Sequence, residues 1–279
     1  MINYSVIIPH HNCPDLLCRL LNSIPQRNDI EIIVVDDNSD SNQKPNISRT
    51  DVKIIYLQTK DSKGAGRARN VGLKQATGKW LLFADADDYY INNAFDEFDK
   101  VKDTGYDIIF FDIDTNHGTG NTAFKCRLNE MLQGGKRAKA NFKHMSNAPW
   151  NKIYKKDFIT ANNIQFDEIP IQNDAYFVHK ASSLTDNFGY IDEKLYYYEI
   201  NDNGITRKKR KKEDIELSVG TTIRIDKLKA KSGAWDCIYL FLNKQYKSDY
   251  GRFFYYKQQL KRVYHGLIWY MINKFLFAK

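Results

Sequence analysis

The chain has 279 residues, of which 42% are hydrophobic and 27% charged. That balance excludes a disordered or fibrous chain and supplies a sizeable core for one large domain or two modest ones. The formal charge of +8 is uneven, with −3 over residues 1–128 and +11 over residues 129–279, so an anionic partner such as a membrane surface, a diphosphate or a nucleic acid is expected to meet the second half.

The first predicted element is a buried strand over 4–9, YSVIIP, ended by Pro9. Residues 14–24 place Leu16, Leu17, Leu20, Leu21 and Ile24 at helical spacing behind Pro14, which suits a helix start. Strands are predicted over 30–35, running into Asp36-Asp37-Asn38-Ser39, and over 52–57. A helix over 65–77 stops at Gly78, and strands follow over 80–84 and 106–113. Short apolar strands alternating with helices predict a parallel sheet with helices on both faces. Ligands bind such sheets outside the carboxyl ends of the strands, so the acidic clusters at Asp36-Asp37 and Asp85–Asp88 are expected on one edge.

Beyond about residue 115 the alternation weakens. Residues 125–147 read as helix and loop, 150–154 and 195–198 as short strands, and 213–231 and 234–246 as helices, with an unbroken basic run RKKRKK over 207–212. The stretch 252–279 mixes Phe253, Phe254, Leu260, Tyr264 and Ile268 with Lys257, Lys261 and Arg262 in an amphipathic pattern. It suits a membrane surface, a second subunit or its own domain. No apolar run reaches the ~18–20 residues of a spanning helix. Neither a basic start nor a cleavage site marks a signal peptide. Cys13, Cys18, Cys126 and Cys237 form no C-x-x-C pair, so neither a zinc cluster nor a redox motif is suggested, and the four fit reduced thiols in a cytosol.

Four clusters carry chemistry. In Asp85-Ala86-Asp87, two carboxylates one residue apart at a strand end offer hard oxygens to one Mg²⁺ or Mn²⁺; the alternative is a solvated turn with Asp88 capping a helix. Asp36 and Asp37 suit a base N–H or a ribose hydroxyl, or an Asx turn. Ala65, Ala68, Gly72 and Ala76 form a small-residue stripe that lets a helix approach a sheet or ligand closely, with Lys63 and Arg69 near enough for phosphate or the acidic cluster. There is no G-x-G-x-x-G, and five residues separate Gly72 from Gly78-Lys79 where a P-loop has four. Asp174, in the first turn of a helix over 174–181, is a general base or a helix-starting carboxylate.

The order strand-P-x-x-N (Pro9 to Asn12), strand-D-D-N-S, G-x-x-x-A-R-N-x-G, strand-D-A-D-D, WNKIY and then N-D on a helix resembles the inverting family 2 glycosyltransferases with the GT-A fold. It looks most like the bacterial enzymes that build capsule, lipopolysaccharide or other surface glycans. The likeness is strong over 3–115, fair over 148–205 and absent beyond about 210. It implies an α/β domain with a Rossmann-like, mostly parallel central sheet flanked by helices. Residues 1–115 would be its nucleotide-sugar-binding half, 116–210 its acceptor-binding half, and 211–279 a helical, basic C-terminal extension.

The same resemblance implies transfer of a sugar from a nucleotide diphosphate, most often UDP, to a hydroxyl of a glycan or lipid-diphosphate-linked acceptor. Asp37, with Asp36 beside it, would meet the uracil or ribose; Pro9 and His11 would line the nucleoside pocket; Lys63 and Arg69 would support the nucleotide. Asp85 and Ala86 would contact the ribose side, with Asp85 in the metal shell and Asp87 the direct ligand of Mn²⁺ or Mg²⁺. Asp174 would be the catalytic base, Trp150, Asn151 and Lys152 would line the sugar and diphosphate, and Thr206 and Arg207 would close over the diphosphate. His11 stands where the family usually has an aromatic residue, and Asn173 where the base usually follows Glu. A peripheral contact with the inner face of the cell membrane is expected, no nucleic-acid motif is present, and a homodimer is left open. The rivals are a sugar nucleotidyltransferase and a non-catalytic nucleotide-sugar or membrane-binding module.

Overall fold

A computed structural model describes residues 1–57, 64–116, 123–200, 209–238 and 242–268. Among them eight strands form one sheet: β1 (Tyr4–His10), β2 (Ile30–Asp37), β3 (Val52–Leu57), β4 (Trp80–Phe83), β5 (Tyr89–Tyr90), β6 (Ile108–Thr115), β7 (Lys152–Lys155) and β8 (Phe188–Tyr198). Their order is β3-β2-β1-β4-β7-β6-β8-β5. Strands β3, β2, β1 and β4 run parallel, as do β6 and β8, while β7 and β5 are antiparallel to their neighbours. The mostly parallel sheet expected from the sequence is therefore present.

Strand alternation divides the core between the two faces. Val6, Ile8, Ile32, Val34 and Leu82 point to one side with Leu17, Leu20 and Leu21 of helix α1 (Pro14–Ser23) and Phe95 and Phe98 of α3 (Ala94–Val101). Ile7, Ile33, Val35 and Phe83 point to the other, against Ala68 of α2 (Ala65–Gln75), Ala76 just after it and Phe177 of α7 (Ala175–Leu184). The small-residue stripe does press α2 on the sheet. A Cβ on Gly72 would lie 2.5 Å from Ile7 Cγ2.

Several boundaries differ from expectation. Asp88 caps no helix; it leads directly into β5, and α3 begins only at Ala94 after Asn93. Strand β8 extends well upstream of 195–198 because its early residues pair with β6, whose own bounds shift to Ile108–Thr115. Residues 125–147 resolve into α4 (Ala123–Gln133) and α5 (Lys136–Lys143), and β7 is followed at once by α6 (Lys156–Ala161).

Helix α8 (Lys212–Ser232) ends at Gly233, whose φ of 80° is the left-handed conformation that closes helices. Of the helix expected over 234–246, residues 239–241 lie outside the described residues; the described part holds a 3₁₀ turn, Trp235–Cys237, before α9 (Gln245–Arg262) and a π-helical turn, Val263–Ile268. A small core of Ile215, Val219, Ile223, Leu242 and Tyr255 joins α8 to α9. Arg262, expected on the basic face of the tail, is instead buried in an ion pair with Asp226, with Nε 2.8 Å from Oδ2.

Candidate active site

Because β1, β2 and β4 are parallel neighbours, their carboxyl ends open on one edge, and both acidic clusters lie there. Asp36 is 1% exposed and already engaged: His10 Nδ1 lies 2.8 Å from its Oδ2, and Ser39 donates from Oγ and from its backbone N–H. Burial works to raise the Asp36 pKa, but the Ser39 and His10 hydrogen bonds prevail and hold it below the usual carboxylate range. Asp36 thus shapes the loop. Asp37 accepts from the Gly64 N–H at 3.0 Å, tying the start of α2 to the end of β2.

The loops around this edge are tightly held. Asn12 and Asn38 have φ of 53° and 62°, the left-handed region that asparagine tolerates better than most residues. Asn12 is clamped by Asp40 and Ser39, and His11 Nδ1 lies 2.9 Å from the Asp37 carbonyl oxygen. Asp36, Asn38, Ser39, Lys44, Tyr56 and Leu57 line a cavity of about 300 Å³. Pro9 is half-buried in β1 beside it.

The second cluster follows β4. Ala86 is buried, and Asp88 is fully buried. Asp88 accepts from the Tyr196 hydroxyl at 2.8 Å and the Glu199 N–H at 2.9 Å. Burial, then the charges of Asp85 and Asp87, push the Asp88 carboxyl up to about 9. Asp85 and Asp87 remain partly open to solvent. Burial and the Asp85 charge also raise the Asp87 pKa, against a hydrogen bond from its own backbone N–H and the charge of Arg19.

One cation organises the centre. The Arg69 guanidinium is 4% exposed, pairs with Asp85 through Nη2, and donates from Nη1 to Asn173 Oδ1 at 2.9 Å. Burial opposes its charge, but Asp85 and Asp174 more than offset this and raise its pKa. The bond to Asn173 fixes the start of α7. Asp174 occupies the N-cap position there; its side chain makes no bond to the N–H groups further along the helix, but hydrogen bonds from its own N–H and that of Ala175 act to lower its pKa. Asp174 is half-buried; burial raises its pKa, Arg69 pulls it down, and Asp85 pushes it up. Gln172, just before it, has φ of 55°, a strained conformation held by its surroundings.

Close packing holds the two parts together. A Cβ on Gly66 would collide with the Asp167 carbonyl oxygen and stand 2.8 Å from Asn173 Cβ. Trp150 stacks between Tyr196 and Tyr198, with centroids 5.2 and 5.1 Å away. Trp150 and Asn151 line a second cavity of about 310 Å³ with Phe111, Asp112, Asp114 and Ser146. Lys152, expected to line the sugar and diphosphate, is buried, with Nζ bonded to Ala148 O at 2.8 Å and Asn151 Oδ1 at 2.5 Å. Burial pushes its pKa down to about 7, with Asp174 acting the other way. Lys63, Thr206 and Arg207 lie outside the described residues.

Sequence reasoning missed the roles of Tyr196 and Asn173. Tyr196 is one of three adjacent tyrosines, and only strand alternation in β8 could have singled it out. For a divalent ion the cluster offers Asp87 and the Asp85 oxygen not held by Arg69. No three His, Cys, Asp or Glu side chains converge on one point among the described residues. Such a donor set fits a hard ion that completes its shell with substrate phosphate and water, as Mg²⁺ commonly does.

Residues 5–161, more than half of the chain, match the family described as Glycosyl transferase family 2. The chain belongs to that family. Glycosyl transferase family 2 relatives include the poly(ribitol-phosphate) beta-N-acetylglucosaminyltransferase TarS of Staphylococcus aureus, 28% identical over 216 residues. That match spans 73% of this chain and 36% of TarS, so the chain covers about a third of the longer protein. The UDP-Glc:alpha-D-GlcNAc-diphosphoundecaprenol beta-1,3-glucosyltransferase WfaP of Escherichia coli is 37% identical over 90 residues, 31% of this chain and 36% of that one. A crystal structure of S. aureus TarS residues 1–349 in complex with UDP-GlcNAc superposes with a TM-score of 0.70 at 22% identity, covering 94% of this chain and 80% of that one. The fold of this family 2 member is accordingly the expected GT-A arrangement. Among the described residues, no helix is long and apolar enough to cross a membrane.

Proposed function

We propose that this family 2 member is an inverting glycosyltransferase that moves a sugar from a UDP-sugar to a hydroxyl of a glycan or lipid-diphosphate-linked acceptor in bacterial surface-polysaccharide synthesis. The observation that carries the proposal is the pair of hydrogen bonds that Arg69 donates, to Asp85 of the acidic cluster and to Asn173 beside Asp174. It ties the acidic turn after β4 to the segment that carries Asp174, which supports reading the two as one site. The printed names of TarS and WfaP, both transferases, and the UDP-GlcNAc in the TarS structure support the donor class.

In this mechanism Asp37, Pro9 and His11 hold the nucleoside, with the cavity along Asn38 and Tyr56 beside them. Asp87 and the second oxygen of Asp85 would hold Mn²⁺ or Mg²⁺, which when bound supplies positive charge to the diphosphate as it leaves. Arg69 holds Asp85 in place through its ion pair. Trp150 and Asn151 wall the sugar side. Asp174 takes the acceptor hydroxyl's proton as the hydroxyl oxygen attacks the anomeric carbon and the carbon–oxygen bond to the diphosphate breaks. One displacement inverts that centre. The raised pKa of Asp174 suits this role, because a base is most effective with a pKa near the working pH.

The test has two arms. Thermal stabilisation by UDP and by UDP-, GDP- and CMP-sugars, with and without Mn²⁺, is measured for wild type and Asp87→Ala. A UDP-sugar shift that needs Mn²⁺ and disappears in Asp87→Ala is expected; a ligand at 100 times its Kd adds roughly 2.7 kcal/mol. Asp174→Asn should then bind the donor as wild type does while transfer falls by about 10²–10⁴. Unchanged transfer in Asp174→Asn would remove the base from the mechanism and leave a binding module or a different catalyst.

A further inference from the structure

The tail helix meets its own domain with one face only. Tyr255, Gln258, Gln259 and Arg262 of α9 are buried against Leu242, Glu216 and Asp226. The opposite face holds Phe253 (86% exposed), Tyr256 (49%), Leu260 (68%), Tyr264 (63%) and Ile268 (40%). Their spacing of three or four residues places them in one stripe, roughly 22 Å long at helical rise. Single exposed apolar residues are ordinary, but a continuous stripe marks a contact surface.

Charge selects the partner. Arg252, Lys257 and Lys261 are exposed on the same helix, and residues 250–268 contain no carboxylate. The end of the basic run adjoins the start of this helix: Lys209 Nζ lies 5.3 Å from the Tyr250 ring centroid, and Lys212 Nζ 5.6 Å from that of Phe254. A twofold pairing of two such stripes would set Lys257 and Lys261 of one copy against the same cations of the other, with no acid over residues 250–268 to neutralise them. An anionic lipid surface meets both features. Apolar side chains enter the headgroup–acyl boundary, while lysine and arginine stems reach up to the phosphates.

We propose that the outward face of α9 and of the π-helical turn that follows it docks this chain on an anionic lipid bilayer. Phe253, Leu260 and Ile268 enter the interface, Tyr256 and Tyr264 sit at headgroup level, and Lys257 and Lys261 pair with lipid phosphates. The surface lies outside the proposed active site, so docking and sugar transfer fail independently.

The test is flotation of the full chain with vesicles of phosphatidylcholine alone, and of phosphatidylcholine and phosphatidylglycerol in equal parts. Binding to the mixed vesicles, weakened by salt and by Lys257→Glu/Lys261→Glu by roughly tenfold or more, is expected. Leu260→Glu should abolish binding while leaving the melting temperature unchanged, since the side chain is largely exposed. Absence of binding to phosphatidylglycerol vesicles overturns the proposal. So does equal binding of wild type and Leu260→Glu. A dimer in solution that Leu260→Glu dissociates, without vesicle binding, assigns the stripe to a second copy instead.

Discussion

The Tyr196 hydroxyl donates to Asp88 Oδ2 over 2.8 Å, joining residues 108 positions apart in the chain. The same oxygen accepts the Asp85 backbone N–H at 3.0 Å, so one phenol braces the turn that presents Asp85 and Asp87. Tyr196→Phe leaves a buried carboxyl oxygen and a backbone N–H without partners, at a cost of about 2 kcal/mol. Measured by urea unfolding, Asp88→Asn and Tyr196→Phe should combine to less than the sum of their separate effects. Additive losses would mean that the phenol does not brace the turn through Asp88.

Arg69 is the buried counter-charge of the site. Arg69→Met keeps much of its volume but leaves Asp85 and Asp174 without their cation, and should destabilise the protein by about 3 kcal/mol. Arg69→Lys should restore little, because an ammonium cannot reach Asp85 and Asn173 in the two fixed directions of a guanidinium. Thermal unfolding of the two variants checks this; a lysine variant as stable as wild type would reduce the site to a point charge.

Gly66 lets the start of α2 touch the segment that carries Asp174. Gly66→Ala forces its methyl into the Asp167 carbonyl oxygen, which is backbone and cannot swing aside. A loss of about 1–3 kcal/mol is expected, together with reduced transfer because the 167–174 segment moves. Full activity and unchanged melting would contradict this contact.

Acid sensitivity should arise away from the site, at His144 and His179. Their Nδ1 atoms are 2.9 Å apart in the interior, and Asn147 holds the other side of His179. Burial, then Lys229, Lys143 and Lys152, pushes His144 down to about 3; burial, with Lys229, His144 and Lys152, pushes His179 well below its ordinary value. Both stay neutral in the fold while the unfolded chain takes up protons below about pH 6.5, so this part of the stability is lost as pH falls. The raised Asp88 works in the opposite sense over the same range. The contribution is therefore isolated by comparison with His144→Gln, which keeps a hydrogen-bonding side chain but does not titrate. Wild type should lose up to about 1.4 kcal/mol per pH unit relative to the variant between pH 6 and 5. Parallel stability curves would contradict a neutral buried pair.

Much of the sheet was legible because β1, β2, β3 and β4 are short apolar runs closed by acids or by a turn. Their shared edge followed from the parallel rule alone. The elements that escaped notice, β5, α3 and α6, are brief and lack a clear period; long-range pairing with β8 and packing of Phe95 and Phe98 under the sheet stabilise them. At the site, Asp85, Asp87, Arg69 and Asp174 were identifiable as chemical types in suggestive places. That Asp36 is consumed by His10 and Ser39, that Lys152 is buried, and that Tyr196 supports the acidic turn depend on contacts between distant segments, which spacing along the chain does not encode.

The strand order has a consequence for synthesis. Strand β7 is inserted between β4 and β6, and β5 waits for β8. A growing chain that has emerged as far as β6 has an unpaired β4 edge, and Tyr89 and Tyr90 have no partner strand until Tyr196 and Tyr197 are made. At typical translation speeds that wait is on the order of ten seconds, during which an apolar edge strand is open to other chains. The acidic turn after β4 is therefore assembled last, when the final strand of the sheet arrives and its tyrosine closes over Asp88.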